Sequence, residues 1–153
     1  MGRFTLDRVP DGKTIWLMGS GTGLSPYISM LRSDEIWERF EKVVVVHGVR
    51  QVSDLAYAEE LKALTQTRPL SYISCVSRQE GGDFYGRITT MLDEGHLEKE
   101  AGVSLTPAEN QVMLCGHPQL VQDLKARLIQ RGFEPNRKLN GQITEEMYWV
   151  ETP

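Results

Sequence analysis

The sequence predicts a doubly wound α/β domain with a mainly parallel, five-stranded sheet and helices on both faces. Short apolar runs alternate with longer stretches of helical periodicity, as in successive βαβ units. One run contains four consecutive valines, Val43 to Val46, which is typical of a strand buried on both faces of a parallel sheet. The chain has 153 residues, which fits one domain of ordinary size.

The first two strands are predicted on either side of a short helix. The first strand covers residues 14–18 and leads into a glycine-rich turn. A helix then starts at residue 24 or 25 and runs to Arg32. Pro26 lies in its first turn, where the missing N–H group costs nothing. The second strand is the valine-rich run 42–49.

The middle of the chain begins with a helix capped by Ser53 or Asp54, because its apolar residues recur at helical spacing. The third strand is the apolar run 70–76. Residues 81–107 are the least regular part of the sequence. We expect them to form short helices and loops within the same domain.

The last part of the chain adds a fourth strand at residues 111–115. A helix follows over residues 118–131 and is stopped by Gly132. A short fifth strand is predicted at residues 146–150. Because no repeat or linker divides the sequence, we expect a single domain over residues 1–153.

The composition argues against several functional classes. Lys and Arg number 17 against 21 Asp and Glu, for a net charge of -4, whereas nucleic-acid binders usually have a basic field. No apolar run approaches the roughly 20 residues that span a bilayer. Cys75 and Cys115 lie in apolar runs and predict buried free thiols in a reducing cytosol. No Cys or His has a partner at metal-ligand spacing.

A ligand site is predicted where the strands end. In an open parallel sheet, ligands bind beyond the carboxyl ends of the strands. Four segments converge there. They are residues 19–23, 47–50, 77–78 and 115–118.

The segment Gly19 to Gly23 is rich in glycine, which lets the backbone turn sharply and approach a ligand. The N–H groups at the start of the following helix suit a diphosphate. The dinucleotide fingerprint G-x-G-x-x-G is absent, because Pro26 stands at its third glycine, and no P-loop lysine follows. From these residues alone, a turn without any ligand remains an equal alternative.

Two basic pairs point to a phosphate monoester. Ser77 and Arg78 follow the third strand, and Arg137 with Lys138 precede the last strand. Charge-assisted hydrogen bonds from such residues hold phosphates. The second strand ends in Arg50 without an acidic residue for a ribose 2′-hydroxyl, which favours NADP over NAD. The alternative for each pair is a solvated surface.

The segment Cys115 to Pro118 follows the fourth strand. Its thiol could pack against a flat ring in the cleft, or it could be a core cysteine before an ordinary strand-to-helix turn. His117 is predicted to start the helix rather than to act as an acid or base. The pair Tyr148-Trp149 either packs into the core or lays a ring against a cofactor.

Together these residues resemble the ferredoxin–NADP(+) reductase family, in its bacterial flavodoxin/ferredoxin reductase branch. The resemblance runs from about Phe4 to Trp149, and its pieces are specific in their order and spacing. The pieces are Gly21-Thr22-Gly23-Leu24-Ser25-Pro26, Val46-His47-Gly48-Val49-Arg50, Asp54-Leu55-Ala56-Tyr57, Val76-Ser77-Arg78, Gly86-Arg87-Ile88, Met113-Leu114-Cys115-Gly116-His117-Pro118 and Tyr148-Trp149.

The resemblance implies an enzyme in which an N-terminal β-barrel binds FAD and a C-terminal domain binds NADP(H). Hydride passes between nicotinamide and flavin, and single electrons pass between flavin and ferredoxin or flavodoxin. The 153 residues contain no flavin-binding barrel. We therefore expect a cytoplasmic, monomeric NADP(H)-binding domain that does not hold FAD and has little reductase activity alone.

The resemblance also implies how the coenzyme is held. Thr22 and its glycines line the path of the diphosphate and nicotinamide. Ser77 and Arg78 hold the 2′-phosphate, and Arg137 or Lys138 assists. The other predicted cofactor-binding residues belong to the same matched pieces. They are Gly21, Gly23, Pro26, Arg50, Gly116 and Pro118.

Two residues are predicted to act in catalysis. By the resemblance, Cys115 lies beside the nicotinamide and Trp149 stacks against the flavin. The chain departs from the family pattern with Gln79 in place of Glu and His117 in place of Asn. Residues 150–153 extend beyond the tryptophan, where some bacterial members end.

Two other functional classes stay open at this point. The chain could be a free-standing, non-catalytic NADP-binding or sensing module. It could also be a protein-interaction domain whose cleft holds nothing. Preference for a 2′-phosphate would separate both nucleotide-binding hypotheses from the interaction domain.

Overall fold

The computed structural model describes residues 5–147 and contains one six-stranded sheet. All neighbouring strands are parallel, and their order across the sheet is fourth, third, second, first, fifth, sixth. The strands are β1 (Thr14–Ser20), β2 (Lys42–Val49), β3 (Leu70–Val76), β4 (Phe84–Tyr85), β5 (Asn110–Gly116) and β6 (Ile143–Met147).

Six α-helices cover the two faces of this sheet. The first three pack on one face and the last three on the other, in two separate hydrophobic clusters. The helices are α1 (Ser25–Leu31), α2 (Glu35–Arg39), α3 (Ala58–Leu64), α4 (Ile88–Asp93), α5 (His96–Ala101) and α6 (Pro118–Gln130). No helix within residues 5–147 is long and apolar enough to cross a membrane.

The valine run explains the doubly wound architecture. Val43 and Val45 join the cluster with α1 to α3, and Val44 and Val46 join the cluster with α4 to α6. All four side chains are fully buried. Successive residues of a strand point to opposite faces, so an uninterrupted apolar run requires helices on both sides. The predicted fold class is therefore confirmed.

The sheet has six strands instead of the predicted five. The additional strand, β4, has only two residues and pairs with the end of β3, so it leaves no periodic pattern in the sequence. The last strand begins at Ile143, three residues before its predicted start. Only Ile143 in β6 is buried, because β6 lies at the sheet edge, and the apolar residues 148–150 lie outside the described residues.

The helix predicted after Ser53 or Asp54 also starts later. Residues Val52–Asp54 form a 3-10 turn, and the Asp54 carboxylate accepts a hydrogen bond from the Gln51 N–H at 3.2 Å. Tyr57 then has a φ of 65°. This left-handed conformation is rare for a residue with a side chain and delays α3 until Ala58.

The strand order reverses at β1, which pairs with β2 on one side and with β5 on the other. The connections from β1 lead outward to β4, and the chain then crosses back to form β5 and β6. Such a reversal leaves a crevice at the carboxyl ends of the central strands, where open α/β sheets bind ligands.

Candidate functional site

A cleft of about 750 Å³ opens at the carboxyl ends of β1, β2 and β3. Its walls come from the turns that follow these strands and from the first residues of α4 and α6. Its size lies within the roughly 300–1,000 Å³ usual for cofactor and small-molecule sites. We call it the first cleft. It contains the crevice expected at the reversal of strand order.

The glycine turn, residues Gly21–Leu24, is a 3-10 turn that leads directly into α1. Gly21 has a φ of 53°, which glycine adopts easily. A Cβ on Gly23 would lie 2.8 Å from the Cys115 carbonyl oxygen. Only glycine therefore lets this turn approach the end of β5. The first N–H groups of such a turn lack partners inside it and suit an anionic ligand.

A second turn, residues 116–118, fits against the glycine turn. The His117 N–H donates a hydrogen bond to Ser20 Oγ at 3.2 Å. Gly116 has a φ of 133°, and a Cβ there would collide with Ser20. The His117 Nδ1 accepts a hydrogen bond from the Gln119 N–H at 3.1 Å and caps α6. This confirms that His117 starts the helix.

Three arginines, which we call the arginine cluster, line the first cleft: Arg50, Arg78 and Arg87. The Arg78 N–H donates to the Arg50 carbonyl oxygen at 3.0 Å, so the ends of β2 and β3 hold these two residues side by side. The third follows β4, whose Tyr85 pairs with Val76 of β3. The sheet itself therefore fixes the backbones that present these guanidinium groups.

The arginine cluster has no ion pair with any residue that the structure describes. Arg39, by contrast, is bound by the carboxylates of Asp11 and Glu35. Two carboxylates, those of Asp54 and Asp123, also line the first cleft. A planar guanidinium matches the oxygens of a phosphate, so the cluster is suited to a phosphate monoester carried by a ligand.

The Ser77 hydroxyl lies beside the arginine cluster and contacts the Val49 carbonyl oxygen at 3.4 Å. The neighbouring Gln79 replaces the family's common Glu. Its Oε1 accepts a hydrogen bond from the Val52 N–H at 2.6 Å. Gln79 therefore ties the segment after β3 to the segment after β2, and it does so without a charge.

Cys75, at the end of β3, is fully buried and contributes to the wall of the first cleft. Burial raises its pKa to about 12, and the nearby Asp83 carboxylate adds to this shift. A thiol with this pKa stays protonated at neutral pH and is a poor nucleophile. No group of three His, Cys, Asp or Glu side chains within residues 5–147 could hold a metal ion.

The structure separates the predicted cofactor-binding residues into three groups. Some line the first cleft, some build the turns that frame it, and Arg137 and Lys138 line another cleft. The lining residues are Gly21, Thr22, Arg50, Ser77 and Arg78. The framing residues are Gly23, Pro26, Gly116 and Pro118.

Cys115 does not lie in the wall of this cleft. Its side chain is 1% exposed and belongs to the cluster of α1 to α3. Its place beside the nicotinamide stays a prediction. It is the Cys115 carbonyl, packed against Gly23, that shapes the site. Trp149, the other predicted catalytic residue, lies outside the described residues.

Arg137 and Lys138 do not line the cleft that contains Ser77 and Arg78, so the structure does not bring the two predicted pairs together. Arg137 and Lys138 lie in a turn at the amino end of β6, on the opposite edge of the sheet from β4. They line a second cleft of about 860 Å³ together with Thr5, Asp7, Arg8 and parts of α6 and β6. Two basic pairs that look alike in sequence thus face different clefts.

One residue that lines the first cleft, Arg87, and one that contacts its glycine turn, His47, were not predicted as site residues. Arg87 belongs to the segment Gly86-Arg87-Ile88. Because β4 was not predicted from the sequence, there was no reason to place the Arg87 charge near Arg78. His47 is fully buried, and its Nε2 lies 2.9 Å from the Gly21 carbonyl oxygen. Its position at the end of β2, next to Gly19 of β1, was the signal that could have indicated a contact with the glycine turn.

A doubly wound sheet with a glycine turn at the reversal of strand order defines the class of dinucleotide-binding α/β domains. The family model described as "Oxidoreductase NAD-binding domain" matches residues 17–126. The chain belongs to this family, and its predicted resemblance to flavodoxin/ferredoxin–NADP reductases is confirmed.

Relatives from bacteria agree with this assignment. The chain is 36% identical to the flavodoxin/ferredoxin–NADP reductase of Buchnera aphidicola subsp. Schizaphis graminum, over 97% of this chain and 60% of that protein. It is 38% identical to ferredoxin–NADP reductase A of Sorangium cellulosum, over 87% of this chain and 51% of that protein. The chain therefore spans only about half to three fifths of their length.

A solved structure gives the same result. The crystal structure of a ferredoxin NADP+ reductase from Neisseria gonorrhoeae, with bound FAD and NADP, superposes with a TM-score of 0.87 and 29% sequence identity. The match covers 96% of this chain and 61% of that chain.

Proposed function

We propose that this chain binds NADP(H) in the first cleft, as the nucleotide-binding domain of a ferredoxin/flavodoxin–NADP(+) reductase. The observation that carries this proposal is the arginine cluster, which has no described ion pair and faces the same cleft as the glycine turn. Positive charge without a protein counter-ion is suited to an anionic ligand. NADP(H) has a diphosphate and a 2′-phosphate, and the cleft offers a place for each.

The coenzyme's orientation follows from the positions of these groups. The glycine turn at the end of β1 receives the diphosphate on its backbone N–H groups. Ser77 and Arg78, with Arg87 and Arg50, receive the 2′-phosphate at the ends of β3 and β2. No carboxylate ends β2, where an NAD-binding domain would use one for the ribose 2′-hydroxyl. This favours NADP over NAD.

The proposed reaction needs a second domain. When bound, NADPH supplies a hydride, and FAD accepts it and passes single electrons to ferredoxin or flavodoxin. This proposal is supported by the names of the relatives and by the FAD and NADP in the Neisseria structure. Residues 1–153 are proposed to form the NADP(H)-binding domain alone, so that this chain does not hold FAD and is inactive as a reductase by itself.

Calorimetry with 2′-phospho-AMP and AMP tests the proposal directly. Wild-type chain should prefer 2′-phospho-AMP, because the two ligands differ only in the 2′-phosphate. Arg78→Ala and Arg87→Ala should each weaken its binding by about 1.5–3 kcal/mol, or roughly 10–150-fold, since each removes a charged hydrogen-bond donor. Arg137→Ala is the matched control and should bind like wild type.

Equal affinity for the two nucleotides would contradict the assignment of NADP(H). If Arg137→Ala lost as much affinity for 2′-phospho-AMP as Arg78→Ala, the assignment of the 2′-phosphate to the first cleft would be contradicted. The claim of inactivity has its own test. Robust oxidation of NADPH by this chain with added FAD and a dye acceptor would contradict it, even if nucleotide binding behaved as expected.

A further inference from the structure

His47 lies beneath the glycine turn and contacts it through one hydrogen bond. It is in β2 with Val43 and Val45, which point to the α1 to α3 face, so strand alternation directs its side chain to that face as well. The side chain is fully buried. Its Nε2 lies 2.9 Å from the Gly21 carbonyl oxygen.

This contact determines the tautomer of the imidazole. A carbonyl oxygen only accepts hydrogen bonds, so the proton must lie on Nε2. The Nδ1 atom is buried and has no hydrogen-bond partner among the described residues. Burial lowers the pKa of His47, so the ring is neutral at neutral pH and donates through Nε2 alone.

The hydrogen bond also fixes the direction of a neighbouring N–H group. The Gly21 carbonyl and the Thr22 N–H belong to one peptide plane, which is trans. In a planar trans peptide, the C=O and N–H bonds point in opposite directions. When Nε2 holds the Gly21 oxygen, the Thr22 N–H must point away from His47. Both residues line the first cleft.

Side-chain packing does not fix this peptide plane. Gly21 has no side chain, and a Cβ built on it would meet nothing within 4 Å. Its φ of 53° is one of several conformations that glycine occupies with similar ease. Within the 3-10 turn Gly21–Leu24, the Gly21 oxygen also accepts an i→i+3 hydrogen bond, so His47 supplies a second donor that holds the same carbonyl.

We propose that His47 is a positioning residue, which holds the Gly21 carbonyl so that the Thr22 N–H faces the coenzyme diphosphate. This inference rests on the proposed binding of NADP(H). It adds a role for a residue that does not touch the coenzyme. It predicts a defect confined to the diphosphate, while recognition of the 2′-phosphate at the arginine cluster remains intact.

Two ligands separate these two parts of the site. NADP+ contains both phosphate groups, whereas adenosine 2′-monophosphate contains only the 2′-phosphate. In the full chain, His47→Leu should weaken NADP+ binding roughly three- to tenfold, which corresponds to one neutral hydrogen bond. Its affinity for adenosine 2′-monophosphate should not change. His47→Gln, whose amide N–H can replace Nε2, should restore most of the NADP+ affinity.

His96→Leu is the control variant, because His96 lies at the start of α5, is partly exposed and does not line the first cleft. It should bind both ligands like wild type. Equal NADP+ affinity in wild type and His47→Leu would overturn the inference and leave the proposed function standing. If wild type itself binds neither ligand, the proposed function fails, and the inference fails with it.

A measurement on wild type covers the case in which His47→Leu does not fold. Nitrogen-15 NMR of the imidazole should show a neutral ring protonated at Nε2, and NADP+ should shift the Thr22 amide signal. A ring protonated at Nδ1, or a Thr22 amide that does not respond to bound NADP+, would overturn the inference.

Discussion

The two clefts of this molecule have similar volumes, about 750 and 860 Å³, and each contains a pair of adjacent basic or polar residues that the sequence singled out. They differ in what holds these residues. In the first cleft, Ser77 and Arg78 are bonded to the end of β2 through N–H groups at 3.0 Å. In the second cleft, Lys138 and Leu139 form a turn in which both have positive φ.

The neighbouring charges differ as well. The arginine cluster has no ion pair in the part of the chain that is described, and the glycine turn offers N–H groups beside it. In the second cleft, Lys125 is already bound to Glu145 at 2.6 Å, and Asp7 and Glu146 add further negative charge. The proposed phosphate site is therefore the one whose basic residues the topology brings to the carboxyl ends of the strands.

The largest expected effect comes from adding a methyl group at a glycine beside each cleft. Gly23→Ala places a Cβ 2.8 Å from the Cys115 carbonyl oxygen, and Gly141→Ala places one against the Pro135 carbonyl at a φ of 108°. Each should lower the free energy of unfolding by about 1–3 kcal/mol, because backbone must shift in a packed region. Urea denaturation measures both effects.

Coenzyme binding should separate these two variants. Gly23→Ala should also lose most of its affinity for NADP+, because its turn and the end of β5 must move apart, whereas folded Gly141→Ala should bind like wild type. If both variants lost affinity in proportion to their loss of stability, general destabilisation would explain the result. The distinction between the two clefts would then be wrong.

The elements that sequence reasoning placed well are those buried on both sides. The strand over residues 42–49 was predicted with its observed bounds, because four consecutive valines, Val43 to Val46, are expected only in a strand that is buried on both faces. The last strand starts three residues before its predicted start, because an edge strand whose described part has one buried residue has little hydrophobic pattern. The helix α3 starts later than predicted because Tyr57 has a left-handed backbone conformation, which the local sequence does not indicate.

Sequence reasoning identified only those residues of the candidate site that directly follow a central strand. Thr22, Arg50, Ser77 and Arg78 each follow a central strand, so the expected topology was enough to bring them together. Arg87 required β4, whose two residues are too few for any periodicity. The displacement of Arg137 and Lys138 required the position of β6 at the far edge, which local sequence does not determine.

The pH should affect the two clefts differently, because a buried histidine supports the first cleft and no histidine lines the second within residues 5–147. Burial lowers the pKa of His47 below its usual 6.5, although the Gly21 carbonyl and Asp54 oppose the shift. The folded state then binds fewer protons than the unfolded state. The stabilisation is fully present above about pH 6.5 and is lost as the pH falls towards the folded-state pKa.

Urea denaturation of wild type and His47→Gln at about pH 7.5 and about pH 5.5 measures this difference. Wild type should lose more stability on acidification than the variant, because glutamine does not titrate. His96→Gln, in which the exposed histidine is removed, should follow wild type. Parallel pH dependence in wild type and His47→Gln would contradict a buried, neutral imidazole beneath the glycine turn.

The smallest expected effect lies in the second cleft, at the ion pair between Lys125 and Glu145. The side chains are 28% and 26% exposed and 2.6 Å apart, so Glu145→Gln should cost about 0.5–1 kcal/mol in the free energy of unfolding. Glu146→Gln is the control, because Glu146 has no described ion pair. Neither change should alter the affinity for 2′-phospho-AMP. A weaker affinity in Glu145→Gln alone would mean that the two clefts are coupled through β5, which lies between β1 and β6 in the sheet. The second cleft would then contribute to coenzyme binding without contacting the coenzyme.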